Sequence, residues 1–217
     1  MAEPAARLRD HAYSSFTDML LARDIQPGQF VSQRELVQLT GFPLGAIREM
    51  VPRLEADGLI RTSPQRGLQV LNIDLDLIRN AFQLRQIIEA EAFAHFCDHA
   101  GDADLRRIHD EHAAIRAECL QSVTPERLDR AQHVDWAFHD HVVDHMGNRI
   151  ISDIHRVNAI KIRLIRNSGT RMPPDHAIWV MDMHLEVIRA LMAREKEAAL
   201  EAIHAHIESS RRRALGI

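Results

Sequence analysis

The residues whose side chains are best suited to metal binding or catalysis lie in the segment HVDWAFHDHVVDHMGN, residues 133–148. Four histidines and three aspartates fall between His133 and His145, although the apolar residues around them recur at the spacing of an amphipathic helix. The apolar stripe of this helix passes through Asp135 and His139, which are one turn apart. These two side chains are therefore expected to face the interior, and the other polar residues of the segment to face solvent.

Two later helices each carry one histidine on their apolar stripe, His184 on the first and His206 on the second. An acid in a core is costly unless it is paired or bound to a metal ion. Imidazole nitrogens together with one carboxylate oxygen suit Zn²⁺, Ni²⁺, Fe²⁺ or Mn²⁺. The predicted ligands of a divalent transition metal are Asp135, His139, His184 and His206.

A role without metal also remains open for these residues. A single inward-facing histidine is more often a hydrogen-bonded core residue than a metal ligand. The same four-residue spacing also occurs in the pairs His95/His99 and His141/His145, so spacing alone does not distinguish a site. The phase of the apolar stripes is what favours the four-residue set.

The elements that must position these residues form the second part of the chain, residues 73–217. From about residue 74 onward the pattern predicts six helices with short connections, hence antiparallel neighbours. In the third of them Thr124 is a candidate N-cap and Pro125 suits the first turn, whereas Gly147 ends the helix; the fifth follows Pro173. In the first of the six, the predicted buried stripe is Leu77, Ala81, Leu84, Ile88 and Ala92.

The first part of the chain, residues 1–72, has a different pattern. A helix from about Arg7 to Arg23 is followed by two short helices with Gly41 between them, and then by two β-rich runs around the turn SPQRG. This order of elements is that of a winged helix-turn-helix. The predicted core residues are Leu36, Leu39, Ile47, Val51, Leu54 and Leu59. The predicted fold class is thus mostly α, with an N-terminal winged helix-turn-helix and a C-terminal all-α antiparallel helical bundle.

Composition narrows the class of protein without naming a partner. The chain has 217 residues, 46% of them hydrophobic, which suits one large domain or two small ones. Neither a membrane span nor a signal peptide is recognisable, and the two cysteines lack zinc-knuckle or disulfide-scaffold spacing. A cytoplasmic protein is expected. The net charge of −4 gives no electrostatic case for nucleic acid, so the order of elements carries that argument alone.

The segment IQPGQFVSQRELVQLTGFPLGAIREMVPRLEADGLIRTSPQRGLQV, residues 25–70, resembles the DNA-binding domain of the GntR transcriptional regulators. The likeness lies in a Pro-Gly turn, an "EL" helix, a "REM--RLE--GL" run and a wing that ends in Arg-Gly. The helical remainder resembles the FCD-type effector domain of the FadR subfamily, and its six helices resemble the VanR-like branch. The resemblance covers essentially the whole chain.

The resemblance implies that the second helix of the motif enters the major groove of double-stranded DNA and that the wing reaches the minor groove. The implied DNA-binding residues are Arg34, Arg48, Arg66 and Gly67. The family's recognition helix usually opens with a hydroxylated residue and an arginine, where this chain has Pro43 and Leu44. A helix cap is thereby lost, and an operator unlike the commonest family sites is expected.

For the helical half, the resemblance implies the same four metal ligands and a small carboxylate effector bound on the metal. Arg85 matches an effector-binding arginine of the first helix, although pairing with Glu89 one turn away is an equal alternative. The family also implies a homodimer on a pseudo-palindromic operator and favours a repressor over an activator.

Two further functions remain alternatives to a metal-containing regulator. A histidine and aspartate metal centre also occurs in helical metalloenzymes, and a DNA-binding protein can hold a purely structural metal. The sequence has neither a GxGxxG nor a GxxxxGK motif, and it has no Ser-His-Asp or cysteine nucleophile pattern. A protein without enzymatic activity is therefore expected.

Overall fold

The structure, a computed structural model, describes residues 5–167 and 174–217. Its described residues divide into two compact units. The first contains the chain up to Leu77 and the part of a later helix from Ile160 on, and the second contains the rest. No helix among the described residues is long and apolar enough to cross a membrane. Pro173, predicted to precede a helix, lies outside the described ranges.

The first unit is a winged helix-turn-helix. Its elements are α1 (Ala5–Ala22), β1 (Phe30–Val31), α2 (Gln33–Thr40), α3 (Leu44–Ala56), β2 (Ile60–Ser63) and β3 (Gly67–Val70). The strands form an antiparallel sheet in the order β1-β3-β2, and β1 is an element that the sequence pattern did not predict.

Capping chemistry defines the helix-turn-helix. The Ser32 side chain accepts a hydrogen bond from the Glu35 backbone while the Glu35 carboxylate accepts one from the Ser32 backbone, so α2 begins with a capping box. Gly41 ends α2 in the left-handed conformation at φ 72°, as the turn requires. Pro43 precedes α3 and provides no side-chain hydrogen bond, which agrees with the predicted loss of a cap.

The core of this unit is formed by side chains from all three helices and the sheet. Its largest buried members include Phe16, Leu20, Ile25, Leu36, Ile47, Met50, Leu54 and Leu59. The prediction for Leu39 was wrong, because 44% of that side chain is exposed. Leu36 and Leu39 both fit helical spacing, but eight residues make only two turns, so α2 buries a single narrow face.

The second unit contains α4 (Leu75–His99), α5 (Asp102–Gln121), α6 (Pro125–Asp144), α7 (Arg149–Asn167), α8 (Pro174–Met192) and α9 (Lys196–Ala214), of which α4 begins and α7 ends in the first unit. Thr124 caps α6 by accepting a hydrogen bond from the Arg127 backbone, with Pro125 in the first turn as predicted. One apolar cluster joins α5, α6 and α8 through Ile115, Ala131, Val134, Ala177, Val180 and Met181. The predicted fold class, including six helices in this half, is confirmed.

The buried face of α4 differs from the predicted one. Leu84 lies at the edge of exposure, at 36%, while the neighbouring Arg85 and the residue one turn later, Glu89, are buried. The charged pair takes the inward face because its members bind each other and further polar groups there. Apolar spacing therefore predicted Ala81 and Ala92 of this face correctly and was wrong at Leu84.

Gly67 provides a test of the wing. Its φ is 90°, and a Cβ atom there would lie 2.9 Å from the carbonyl oxygen of Val31 across the β1–β3 pair. We expect Gly67→Ala to lower the free energy of unfolding by on the order of 2 kcal/mol, since both the backbone conformation and the strand contact become strained. Chemical denaturation of the full chain measures the change.

The matched control is Gly45→Ala, because a Cβ at this α3 position has no atom within 4 Å. Alanine there is expected to stabilise the protein slightly, through its higher helix propensity. A Gly67→Ala protein as stable as wild type would contradict this account of the wing.

Candidate metal centre

Four polar side chains from three helices meet inside the second unit. Asp135 and His139 come from α6, His184 from α8 and His206 from α9. All four are buried, with at most 4% of any of them exposed. One nitrogen or carboxylate oxygen of each lies within 4.8 Å of the corresponding atoms of the other three. The structure thus brings together the four residues that the helical stripes singled out.

The distances within this cluster suit ligands that share one cation. The Nε2 atoms of His184 and His206 are 3.3 Å apart, and Asp135 Oδ1 lies 3.5 Å from His184 Nε2. Asp135 Oδ1 also lies 3.6 Å from His139 Nε2. Two ligands of a tetrahedral zinc ion, each about 2.1 Å from it, are about 3.4 Å apart. The donor set and its spacing therefore fit a divalent transition metal.

The electrostatics of the cluster also suit a cation. Burial lowers the pKa of His184 well below its ordinary value, and the neighbouring His206 acts in the same direction. A neutral imidazole has a lone pair available for a metal. The carboxylate of Asp135 lies in the same low-dielectric interior, where a negative charge is favourable only beside positive or hydrogen-bonding groups.

A second buried network surrounds His139. Its Nδ1 lies 2.8 Å from Glu89 Oε2, and its Nε2 accepts a hydrogen bond of 2.7 Å from Arg85 Nη2. Glu89 also accepts a 2.8 Å hydrogen bond from Arg85 Nε and lies 3.4 Å from His155 Nε2. Although burial raises the pKa of Glu89, the charge of Arg85, together with the contacts to His139 and His155, outweighs it and holds that pKa well below its usual value.

Arg85 therefore has two relationships in this structure. It forms the buried ion pair with Glu89 that was one of its two predicted alternatives, and it also reaches a residue of the cluster. The guanidinium and a metal ion require the same lone pair on His139 Nε2. Arg85 would give up that hydrogen bond if a metal were bound there, while its bond to Glu89 uses a different nitrogen.

One residue beside the cluster was absent from the sequence analysis. His112 of α5 is buried, and its Nε2 lies 3.3 Å from His184 Nδ1. It falls on the buried face of α5 together with Leu105, Ile108, Ile115 and Cys119. The stripe argument used for the other helices would have found it.

The two histidine pairs with similar spacing do not form a comparable group. The rings of His95 and His99 stack 4.2 Å apart, and His145 lies 5.6 Å from His95. His141 is partly exposed, and its Nε2 lies 2.7 Å from Asp104 Oδ2. Within residues 5–167 and 174–217, only the four buried residues gather closely enough to hold a metal ion together.

The predicted DNA-binding residues lie in the first unit. Arg34 of α2, Arg48 of α3 and Arg66 of the β2–β3 turn are exposed. The Arg66 guanidinium carbon is 4.9 Å from the centroid of the Phe30 ring, a cation–π contact. Gly67, at the start of β3, lies close to the chain's own β1, and Leu44 is 37% exposed at the start of α3.

Known proteins share this sequence pattern and architecture. The FCD domain family matches residues 80–209. The HTH-type transcriptional repressor RspR of Escherichia coli (strain K12) is 24% identical over 199 residues, covering 87% of this chain and 83% of that protein.

Solved structures share the fold at lower identity. A GntR transcriptional regulator from Rhodococcus superposes with a TM-score of 0.74 at 18% identity, covering 96% of this chain and 97% of the other. The metal-free FCD domain of TM0439, a transcriptional regulator by its description, has a TM-score of 0.54 at 20% identity and covers 66% of this chain and 95% of its own. The predicted resemblance to GntR-type regulators with an FCD-type effector domain is confirmed, and the chain belongs to the FCD domain family.

Proposed function

We propose that this protein is a cytoplasmic, metal-containing, ligand-responsive transcriptional regulator. The winged helix binds operator DNA, and the FCD bundle holds a divalent metal and a small carboxylate effector. The observation that carries the proposal is the convergence of one buried carboxylate and three buried imidazoles from three helices. RspR, which aligns over most of the chain, is named a repressor, and this favours repression as the mode of action.

The metal would be held by Asp135, His139, His184 and His206, a set suited to Zn²⁺, Ni²⁺, Fe²⁺ or Mn²⁺. When bound, such a cation supplies a Lewis acid that attracts carboxylate oxygens. Four protein ligands leave further positions open to an effector if the ion is five- or six-coordinate. Arg85 is the effector-binding arginine in this proposal, since its planar fork suits a carboxylate and it already lies beside the cluster.

DNA binding is assigned to the exposed arginines of the first unit. Arg34, Arg48 and Arg66 present guanidinium groups on the helix-turn-helix and the wing. Guanidinium suits both phosphate oxygens and the acceptor edge of guanine. The exposed Leu44 can contact a thymine methyl group but not a guanine, so the operator should differ from sites read by an arginine at this position.

A homodimer is supported by apolar residues left exposed on two adjacent helices of the second unit. Ile87 of α4 is 63% exposed, and Ile150 and Ile154 of α7 are 73% and 46% exposed. The two helices are neighbours, because Asn158 of α7 donates a 2.9 Å hydrogen bond to the Ala81 carbonyl of α4. Exposed apolar side chains on two neighbouring helices suit burial in a two-fold dimer, which would match a pseudo-palindromic operator.

Metal binding is tested with Asp135→Asn, which removes the charged ligand and keeps its shape. The chelator-treated wild-type chain should bind one Zn²⁺ or Ni²⁺, and the variant should bind it at least about a hundredfold more weakly, more than the loss typical of an outer partner. Isothermal titration gives both constants. The control is His133→Ala, an exposed histidine of the same helix. Equal affinity in wild type and Asp135→Asn would rule out this site.

Effector binding is tested by thermal melts of metal-loaded protein with a panel of small mono- and dicarboxylic acids. An acid that binds on the metal should raise the melting temperature only of the metal-loaded form, and its neutral amide should not. It should also change the affinity for DNA, for which a tenfold effect needs a coupling of only about 1.4 kcal/mol. Stabilisation by metal alone would indicate a structural metal, and turnover of an added compound would indicate a metalloenzyme.

The DNA-binding assignment is tested with Arg48→Ala and Arg48→Lys on a duplex that wild-type protein selects from a randomised pool. Alanine should lower affinity at least about tenfold, and lysine should recover more of it if Arg48 contacts phosphate than if its planar fork reads guanine. Gel shifts at one fixed salt concentration measure this. Arg7→Ala, at an exposed position of α1, controls for general loss of charge. Unchanged binding by Arg48→Ala would remove the residue from the interface.

A further inference from the structure

His112 lies in the middle of a chain of hydrogen bonds that ends at the four residues of the candidate metal centre. Its Nδ1 is 2.8 Å from the Ile108 carbonyl oxygen, one turn earlier on α5. On the other side of the ring, its Nε2 is 3.3 Å from Nδ1 of His184. Only 1% of His112 and none of His184 is exposed, so water does not compete for these contacts.

The directions of these hydrogen bonds follow from one fact. A carbonyl oxygen can only accept, so His112 Nδ1 must be the atom that carries a proton. In a neutral ring this leaves a lone pair on His112 Nε2, which can only accept from His184. The proton of His184 is therefore on Nδ1, where it donates to His112.

The position of that proton determines what His184 presents to the cluster. With Nδ1 protonated, Nε2 has the lone pair, and Nε2 is the atom that lies 3.3 Å from His206 Nε2 and 3.5 Å from Asp135 Oδ1. The other tautomer would direct an N–H at the same point. A metal ion requires the lone pair.

We propose that His112 is a positioning residue that holds His184 in the tautomer with Nε2 free for the metal, and that it thereby sets the affinity of the site. This inference rests on the proposed metal site. His112 is not itself a ligand, because its own Nε2 lone pair faces His184 Nδ1 and lies on the far side of that ring from the cluster.

The surroundings of His139 show the same arrangement built from different residues. Its Nε2 lies toward the cluster, and its Nδ1 faces the Glu89 carboxylate at 2.8 Å. Partners of this kind, which take the second ring nitrogen, fix the tautomer and orientation of metal-binding histidines in general. His112 has that role for His184, with a backbone carbonyl behind it where His139 has a carboxylate.

The test compares two substitutions that keep the volume of the side chain approximately. His112→Phe removes the acceptor, whereas His112→Gln places an amide oxygen close to where Nε2 stood. We expect Zn²⁺ affinity of the full-length chain to fall about 10- to 100-fold in His112→Phe and to return to within about threefold of wild type in His112→Gln. His145→Phe, a histidine that packs against Phe96, is the matched control and should bind as wild type does.

A second measurement addresses the tautomer directly. In the metal-free wild-type chain labelled with ¹⁵N-histidine, the nitrogen shifts of His184 should show a proton on Nδ1, and His112→Phe should show a mixture of tautomers. This result does not depend on metal binding. It therefore separates failure of the inference from failure of the proposed metal site, and it applies to the wild-type chain even if His112→Phe does not fold.

Two results would overturn the inference. One is a wild-type chain in which His184 carries its proton on Nε2. The other is a folded His112→Phe protein that binds Zn²⁺ as tightly as wild type, which would leave the metal site in place and make His112 a core residue only. A wild-type chain with the Nδ1 proton but no affinity for Zn²⁺ would support the role of His112 as an orienting group and refute the metal site.

Discussion

The second unit depends on one constraint: a carboxylate and three imidazoles must be kept in an apolar interior without leaving polar atoms unsatisfied. Burial of such groups costs free energy unless each has a partner. The bundle draws Asp135, His139, His184 and His206 from three helices to one point, where they lie close enough to share a cation. A divalent cation at that point would be the positively charged partner that the buried carboxylate and imidazoles need. The stability of the fold and the proposed sensing site would then both depend on the same ion.

Around these four residues lies a set of partners that controls protons and orientation. His112 Nε2 accepts a hydrogen bond from Nδ1 of His184, and the Glu89 carboxylate lies beside Nδ1 of His139. Each of these two rings therefore has its Nε2 toward the cluster. Arg85 joins this layer through both Glu89 and His139. The layer consists of residues on α4 and α5, although the ligands lie on α6, α8 and α9. A change at the proposed metal site would therefore act on five helices, two of which contribute no ligand.

This arrangement suggests how ligand binding could reach the DNA-binding part of the protein. Arg85 and Glu89 lie on α4, which also carries the exposed Ile87 assigned to the dimer interface. His155, next to Glu89, lies on α7 with Ile150 and Ile154, and the later residues of α7 belong to the first unit. A carboxylate that drew Arg85 away from His139 would break a hydrogen bond between α4 and α6 beside Glu89, the residue of α4 that lies next to His155 of α7. A modest change there would be enough, because tenfold regulation requires only about 1.4 kcal/mol.

The amino-acid sequence by itself determined the type of nearly every element and much of the local chemistry. Gly41 between two short helices, Thr124 before Pro125 and the periodic apolar residues after Asp74 depend on local rules that hold wherever the segment lies. The same periodicity placed Asp135, His139, His184 and His206 on inward faces, and it would have placed His112 there too.

The periodicity could not decide which of two overlapping helix faces is buried, as Leu39 and Leu84 show, because that choice depends on the helices packed outside the segment. Only the tertiary structure decided that nitrogens from residues 184 and 206 lie 3.3 Å apart and that His112 stands behind one of them. Helical spacing gives the direction of a side chain around its own axis, and distances between side chains on different helices arise only when those axes are packed together.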